Sequence, residues 1–234
     1  MPALRAGSAA RDNRFLWSLA AALVVHTAGL IGMVWGDPLW FSAKTPLNLS
    51  LMFGLLLLNQ QSRNKSFYLF AGLSFLTGMV TEMIGVHTGI LFGNYAYGTI
   101  LGPSVNDVPL LIGVNWFVTM IISSAAAAAL LGFPGDALDH QNTPRSVRFG
   151  WLPLLGAGIA TVFDWIMEPI AVKLGFWSWS GDGSIPLLNY ACWFIISFLL
   201  ILAAGLLRLD LRNRFSLPLL VIQAIFFLLL RLLS

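Results

Sequence analysis

The sequence predicts an all-α membrane protein, a polytopic transmembrane bundle of about seven helices. Of the 234 residues, 58% are hydrophobic and 10% are charged, whereas roughly a quarter of the residues in a soluble domain are charged. A helix that crosses a bilayer needs about 20 mostly apolar residues. The chain therefore has room for seven spans joined by short loops but none for a soluble domain, and we expect a single integral-membrane domain over residues 1–234.

The predicted spans are placed by the apolar stretches and by the polar residues, prolines and glycines between them. They cover residues 15–36, 46–60, 67–90, 109–133, 150–172, 186–207 and 215–231. The first is too long for a secretory signal and lacks a small-residue cleavage site, so we expect it to be an uncleaved span. The second is short and follows Lys44-Thr45-Pro46, so it either begins earlier or is re-entrant.

Lysine and arginine are distributed unevenly between the two sides of the predicted bundle. Ten lie on the side that includes the N-terminus and three lie on the other. Because positively charged loops stay in the cytoplasm, we expect the N-terminus inside and the C-terminus outside, in a prokaryotic cytoplasmic membrane. The net charge of +3 comes from few ionisable groups, so it marks topology and no nucleic-acid partner is expected.

Several chemistries are disfavoured by what the sequence lacks. The single cysteine, Cys192, excludes an internal disulfide framework and a Cys-rich zinc or iron–sulfur site. No metal-ligand, nucleotide-binding or serine-nucleophile motif occurs, so we predict no metal ion and no cofactor. The most polar stretch, residues 134–149, is predicted to be a solvated connection between two halves of the chain.

The chain contains a predicted internal repeat of two helix pairs, about 67–133 (spans 3 and 4) and about 150–207 (spans 5 and 6). One pair of matching motifs, 77 residues apart, is Val108-Pro109-Leu110-Leu111 with Trp116 and Ile185-Pro186-Leu187-Leu188 with Trp193. The other pair, 82 residues apart, is Glu82 with Gly93, Tyr95, Ala96 and Tyr97, and Asp164 with Gly175, Trp177, Ser178 and Trp179. The two units run in the same direction, which predicts an axis of symmetry along the membrane normal.

Three acidic residues lie inside predicted spans: Glu82, Asp164 and Glu168. A charged carboxylate in the hydrocarbon costs at least about 2.5–3.5 kcal/mol, so each of these acids needs a reason to be there. Asp164 and Glu168 are one helical turn apart and share a face. Burial and the proximity of a second carboxyl favour the protonated form, which suits a general acid. The alternative is a neutral carboxyl that only bridges two helices by a hydrogen bond.

Aromatic and amide side chains recur near these acids. They are Tyr95 and Tyr97 in one loop, Trp177 and Trp179 in the other, and Trp116, Trp193, Asn115 and Asn189 on the returning helices. Aromatic faces can stabilise a carbocation, although an interfacial aromatic belt would look similar. The asparagines can hold a water molecule or bridge helices.

These residues resemble a known family, the integral-membrane carotenoid biosynthesis proteins, which include carotenoid 1,2-hydratases and bisanhydrobacterioruberin hydratases. In the first half the resemblance is carried by Glu82, Phe92-Gly93-Asn94-Tyr95-Ala96-Tyr97-Gly98, Leu101-Gly102-Pro103, Val108-Pro109 and Trp116. In the second half it is carried by Asp164, Glu168-Pro169, Trp177-Ser178-Trp179, Ile185-Pro186, Asn189 and Trp193. It covers residues 70–195, about half of the chain.

The small membrane lycopene cyclases are more distantly similar. Those enzymes have a Pro-x-Glu-Glu element after the aromatic loop. Here the corresponding positions read Pro109-Leu110-Leu111-Ile112 and Pro186-Leu187-Leu188-Asn189. This departure favours the hydratase branch of the resemblance.

The resemblance implies an enzyme in which a buried acid protonates the terminal double bond of a carotenoid and water captures the tertiary carbocation. Glu82 and Asp164 would be the acid and its partner, Glu168 a reserve acid, and the aromatic and asparagine side chains would contact the substrate. The expected partners are a lipophilic carotenoid of the lycopene or γ-carotene type, the lipid bilayer and other enzymes of the pathway. Two alternatives stay open: an end-group cyclase or isomerase, and a non-catalytic carotenoid-binding or proton-coupled membrane protein.

Overall fold

The computed structural model of the protein describes residues 2–133 and 144–234, with side chains from Arg11 onward. Most of the polar connection predicted at residues 134–149 lies outside the described residues. The helices are α1 (Pro2–Trp35), α2 (Pro38–Ser42), α3 (Thr45–Asn59), α4 (Lys65–Thr88), α5 (Leu110–Leu130), α6 (Leu152–Lys173), α7 (Leu187–Leu206) and α8 (Ser216–Leu233), and a π-helical turn at Val147–Trp151 leads into α6.

Within the described residues, seven helical stretches are long and apolar enough to cross a membrane. This confirms the predicted all-α bundle of seven spans. The second span runs from Pro38 to Asn59, because the short helix α2 continues into α3. It therefore begins earlier than the predicted 46–60. Asp37 starts this span by accepting hydrogen bonds from the backbone N–H groups of Leu39 (3.0 Å) and Trp40 (3.1 Å), the ordinary role of an N-cap aspartate.

Helix α5 lies at the centre of the bundle. Of its apolar stretch 78% is buried, compared with 17–44% for the other six spans, and it packs against α3, α4, α6, α7 and α8. Small side chains allow this close packing, since Ala125–Ala128 are all buried. The helices α4 and α6 flank α5, and α7 packs mainly against α6.

The two aromatic loops form a short two-stranded sheet. The strand β1 (Tyr95–Tyr97) pairs antiparallel with β4 (Trp177–Trp179), with Ala96 opposite Ser178. Backbone hydrogen bonds extend the pairing on both sides, from Gly98 N to Phe176 O (2.8 Å) and from Ser180 N to Asn94 O (2.9 Å). The sheet thus joins the loop after α4 to the loop after α6. The predicted internal repeat stays a prediction.

A second pair of strands, β2 (Ser104–Val105) and β3 (Val108–Pro109), forms a hairpin that leads into α5. Its two turn residues, Asn106 and Asp107, have positive φ angles of 46° and 62°, as a tight hairpin turn requires. This hairpin places Pro109 at the N-terminus of α5.

Candidate active site

A small cavity of about 30 Å³ lies between α4, α5, α6 and α7 and is covered by the sheet of β1 and β4. We call it the acid pocket. It is lined by all eleven residues that the sequence singled out, Glu82, Tyr95, Tyr97, Asn115, Trp116, Asp164, Glu168, Trp177, Trp179, Asn189 and Trp193, and also by Phe92, Ile112 and Met167. Residues that are more than 100 positions apart in the chain thus meet at one place. A cavity of this size can hold one or two water molecules.

Glu82 on α4 accepts three hydrogen bonds in the acid pocket. Its Oε2 accepts from the hydroxyl of Tyr95 and from that of Tyr97 (2.8 Å), and its Oε1 accepts from the indole Nε1 of Trp116 (3.0 Å). The side chain is almost fully buried. Both carboxyl oxygens are therefore held by donors from β1 and α5.

Glycines on α4 make room for these donors. A Cβ atom at Gly78 would lie 2.4 Å from Trp116 Cδ1, and one at Gly85 would lie 2.9 Å from the Tyr95 hydroxyl. At such distances the neighbouring side chain must move. Gly78 and Gly85 thus allow Trp116 and Tyr95 to pack against Glu82.

Asp164 on α6 has a different environment. Its Oδ2 accepts a hydrogen bond from Asn189 Nδ2 (2.8 Å), while its buried Oδ1 has no hydrogen-bond partner among the described residues. The side chain is 1% exposed. A buried polar atom without a partner is costly, so Oδ1 is the atom of this pocket most in need of a ligand, a proton or a water molecule.

Glu168, one turn further along α6, is the hydrogen-bond partner of the two indoles of β4. Its Oε1 accepts from Trp177 Nε1 and from Trp179 Nε1, both at 2.7 Å. The repeat pattern predicted these tryptophans beside Asp164, at the spacing that joins Tyr95 and Tyr97 to Glu82. The structure instead joins them to Glu168.

The walls of the acid pocket are aromatic. The rings of Trp116 and Trp193 are stacked, with centroids 4.1 Å apart and an interplanar angle of 9°. Across the sheet, the ring centroids of Tyr95 and Trp179 are 5.1 Å apart and those of Tyr97 and Trp177 are 5.9 Å apart. The pocket therefore offers several ring faces as well as three carboxyl groups.

The tyrosines of β1 stay protonated at neutral pH. Burial, together with the nearby carboxyl of Glu82, raises the pKa of Tyr95 and of Tyr97 above the ordinary value of 10.0. Both hydroxyls therefore act as permanent hydrogen-bond donors to Glu82 rather than as acids. The tryptophan donors of β4 do not titrate at all.

Asn115 lies at the edge of the acid pocket on α5. It is half-buried, it lines the pocket, and no hydrogen bond joins its side chain to another described residue. The three other lining residues, Phe92, Ile112 and Met167, are apolar. Phe92 belongs to the aromatic-loop motif, but nothing in the sequence marked any of the three as a site residue. Among the described residues no group of three or more His, Cys, Asp or Glu side chains is placed to hold a metal ion.

The fold and the acid pocket define the class of protein: an integral-membrane bundle with a carboxyl-rich, aromatic-walled cavity in its interior. A family model described as carotenoid biosynthesis protein matches residues 45–233, which is most of the chain. The chain belongs to this carotenoid biosynthesis family.

One curated relative is bisanhydrobacterioruberin hydratase of Haloarcula japonica, which is 31% identical over 140 residues. The match covers 57% of this chain and 43% of the relative, so the matching region is less than half of that protein's length. No solved structure is significantly similar to the chain.

Proposed function

We propose that this protein is a carotenoid end-group hydratase, which adds water across the terminal double bond of a lycopene- or γ-carotene-type polyene. The observation that carries the proposal is the convergence of three buried carboxyl groups and their indole, phenol and amide donors on one small cavity. Membership of the carotenoid biosynthesis family and the similarity to a hydratase support the substrate class and the reaction type.

Asp164 is the proton donor in this proposal. Its single hydrogen-bond donor, Asn189, occupies one oxygen and leaves Oδ1 facing other groups of the pocket without a partner. A neutral carboxylic acid fits this environment, because its proton can lie on Oδ1, the oxygen that has no hydrogen-bond partner among the described residues. Transfer of that proton to the less substituted carbon of the double bond leaves a tertiary carbocation, and Asp164 becomes a carboxylate.

Glu82 stabilises the cation by its charge. Three donors on its two oxygens suit a carboxylate, and the same donors make it a poor nucleophile towards the carbocation. The stacked indoles of Trp116 and Trp193 add ring faces close by, which attract a cation through their quadrupole. The positive charge thus develops where negative charge and aromatic faces are already in place.

Water then completes the addition. The oxygen of a water molecule bonds to the tertiary carbon, the water loses one proton to the Asp164 carboxylate, and the acid is regenerated. The net change is the gain of one water molecule with no oxidation or reduction. The size of the acid pocket, about 30 Å³, suits one or two water molecules beside the end group.

The test is expression of the chain in a host that accumulates lycopene or γ-carotene, followed by liquid chromatography of the pigments with mass detection. The wild-type protein yields a product heavier by one water molecule. Asp164→Asn cannot supply the proton, and its product falls by about 10²-fold or more. Asp182→Asn is the matched control, because Asp182 is exposed in the loop before α7, where it caps Ser184 N (2.9 Å), and its product yield stays at the wild-type level.

Two outcomes would contradict the proposal. Wild-type product from Asp164→Asn would remove Asp164 from the role of acid. A wild-type product with the mass of the substrate and a shifted retention time would mean that the cation loses a proton instead of gaining water, as in a cyclase or an isomerase.

A further inference from the structure

A second, larger cavity of about 320 Å³ lies beside the acid pocket. We call it the side chamber. It is formed by α1, α2, α3, α5, α6 and α8, so most of its wall comes from helices outside the predicted repeat. Its volume is within the range of ligand-binding pockets, roughly 300–1,000 Å³.

One end of the side chamber opens at the outer surface of the bundle. Val24 of α1 and Leu47 of α3 line it and are 67% and 70% exposed. Both lie in membrane-spanning stretches, so the surface that they form faces lipid. These exposed lining residues point to an opening between α1 and α3, which would give lateral access from the bilayer.

The other end of the side chamber meets the acid pocket. Four residues line both cavities: Ile112 and Asn115 of α5, Met167 of α6 and Trp177 of β4. Asn115 is the one amide among the four, and the indole N–H of Trp177 is bonded to Glu168 (2.7 Å). A ligand in the side chamber would therefore lie next to the acid pocket.

The lining of the side chamber is apolar and aromatic. It includes Phe41, Phe163, Phe176, Phe226 and Phe227, whose rings suit a flat, conjugated chain. Three of its polar side chains, Lys44, Thr45 and Asn48, lie together at the start of α3, where Lys44 Nζ lies over the Trp40 ring (4.7 Å). The other polar side chains come from other helices. One of them, His26, is buried and bonded through Nδ1 to the Ala22 carbonyl (2.8 Å). A long apolar ligand without a charged head group fits this lining better than a polar lipid.

We propose that the side chamber binds the polyene chain of the carotenoid, which enters from the lipid between α1 and α3 and places one end group against the acid pocket, at the residues that line both cavities. This inference rests on the proposed function for the identity of the ligand. The chamber lies at the lower end of the pocket range, so it holds the part of the chain next to the reacting end while the remainder extends into the bilayer. The protein then modifies one end of the carotenoid per binding event, and the second end requires release and re-entry.

The test fills the chamber without touching the acid pocket. Gly29 on α1 lines the chamber, and a Cβ there would make only an ordinary contact, 3.5 Å from Phe226. The larger side chain of Gly29→Leu therefore occupies chamber volume. Gly72→Leu on α4 is the matched control, because Gly72 is exposed and its Cβ would meet nothing within 4 Å.

Both variants and the wild type are purified in detergent from a lycopene-accumulating host, and the pigment bound per protein is measured by absorbance. A fourth sample, Asp164→Asn, reports binding without turnover. We expect bound pigment in the wild type, Gly72→Leu and Asp164→Asn, and about a fivefold or larger loss in Gly29→Leu, because steric overpacking weakens binding by at least that factor. Equal elution volumes in size-exclusion chromatography show that Gly29→Leu is folded.

Retention of pigment by Gly29→Leu at the wild-type level would overturn the side chamber as the binding site, and so would a wild-type protein that purifies without pigment. Bound but chemically unchanged pigment in the wild type would support the chamber and contradict the proposed hydration. The failure of one proposal is thus distinct from the failure of the other.

Discussion

The two acid-bearing halves of the pocket are built from similar parts but treat their carboxyl groups differently. In the first half, two tyrosines and Trp116 all donate to one residue, Glu82. In the second half, the donors are divided: the two indoles of β4 reach Glu168, and Asn189 reaches Asp164. Only the second half leaves a buried carboxyl oxygen, Asp164 Oδ1, without a partner in the described part of the chain.

This difference suggests a division of labour between the halves. Of two buried carboxyl groups, the one with three donors holds a negative charge at a lower cost than the one with a single donor, which is better suited to carry a proton. In the proposed mechanism the first half therefore supplies negative charge for the carbocation, and the second half supplies the proton. An equal pair of acids would not separate these two tasks.

The largest effect that separates the halves is expected from Glu82→Gln. The amide has one acceptor oxygen for three donors, so at least one buried donor loses its partner, at a cost of about 1–3 kcal/mol in the free energy of unfolding. Product formation also falls by about 10²-fold or more, because the charge beside the cation is lost. Thermal unfolding in detergent and product analysis measure the two effects.

Asp164→Asn is the comparison for that experiment. The amide oxygen can still accept from Asn189, so we expect lost activity with little change in unfolding temperature. A loss of stability as large as that of Glu82→Gln would contradict the division of labour.

A smaller effect is expected from Gly78→Ala on α4. Its Cβ would lie 2.4 Å from Trp116 Cδ1, so the indole must move away from Glu82, at a cost of about 1–3 kcal/mol from overpacking. Gly158→Ala on α6 is the control, because its Cβ would meet nothing within 4 Å, and it is neutral or slightly stabilising. At the position of the predicted repeat that corresponds to Gly78, the second half already has a buried alanine, Ala160. Equal unfolding temperatures for the two variants would refute this role of Gly78.

The smallest effect is expected from Asn115→Leu, and it concerns the product rather than the rate. In the predicted repeat, Asn115 corresponds to Cys192, so only the first half offers an amide at the boundary with the side chamber. Leucine cannot make the hydrogen bond to the incoming water, a loss of about 1 kcal/mol. We therefore expect the ratio of hydrated product to product of unchanged mass to fall about fivefold. Asn115→Ser keeps a polar group and should retain more of the hydrated product. A ratio unchanged in Asn115→Leu would exclude Asn115 from positioning water.

The bundle could be predicted from the sequence because the apolar stretches alone determine the spans. The start of the second span could not be placed from the sequence, since Lys44-Thr45-Pro46 interrupts the apolar pattern. In the structure the chain continues through this interruption as α2 and α3, with Asp37 as the N-cap. The polar residues between α2 and α3 therefore do not end the span, which runs from Pro38 to Asn59.

The members of the acid pocket could also be predicted, but not their partners. Equal spacing assigned Trp177 and Trp179 to Asp164, as Tyr95 and Tyr97 are assigned to Glu82. The helix α6 continues to Lys173, so that Glu168 rather than Asp164 lies near the end of its helix, as Glu82 lies near Thr88 at the end of α4. The extra helical turn moves the strand β4 into contact with Glu168. Sequence spacing does not show where a helix ends to within one turn.

The side chamber was not predictable from any motif. Its wall combines residues of α1, α3 and α8 with residues of α5 and α6. Most of these residues are apolar, and in the sequence they are indistinguishable from ordinary lipid-facing or packing residues. Only the packing of the helices shows that they leave a cavity next to the carboxyl groups.

The central claim, acid-catalysed capture of water, is tested most directly by isotopic labelling of the product formed by the wild-type protein. In membranes assayed in water enriched in deuterium and heavy oxygen, the account predicts one non-exchangeable deuterium on the carbon beside the new tertiary alcohol and heavy oxygen in its hydroxyl group. A hydroxylated product without the carbon-bound deuterium, or with oxygen from another source, would contradict protonation followed by water capture.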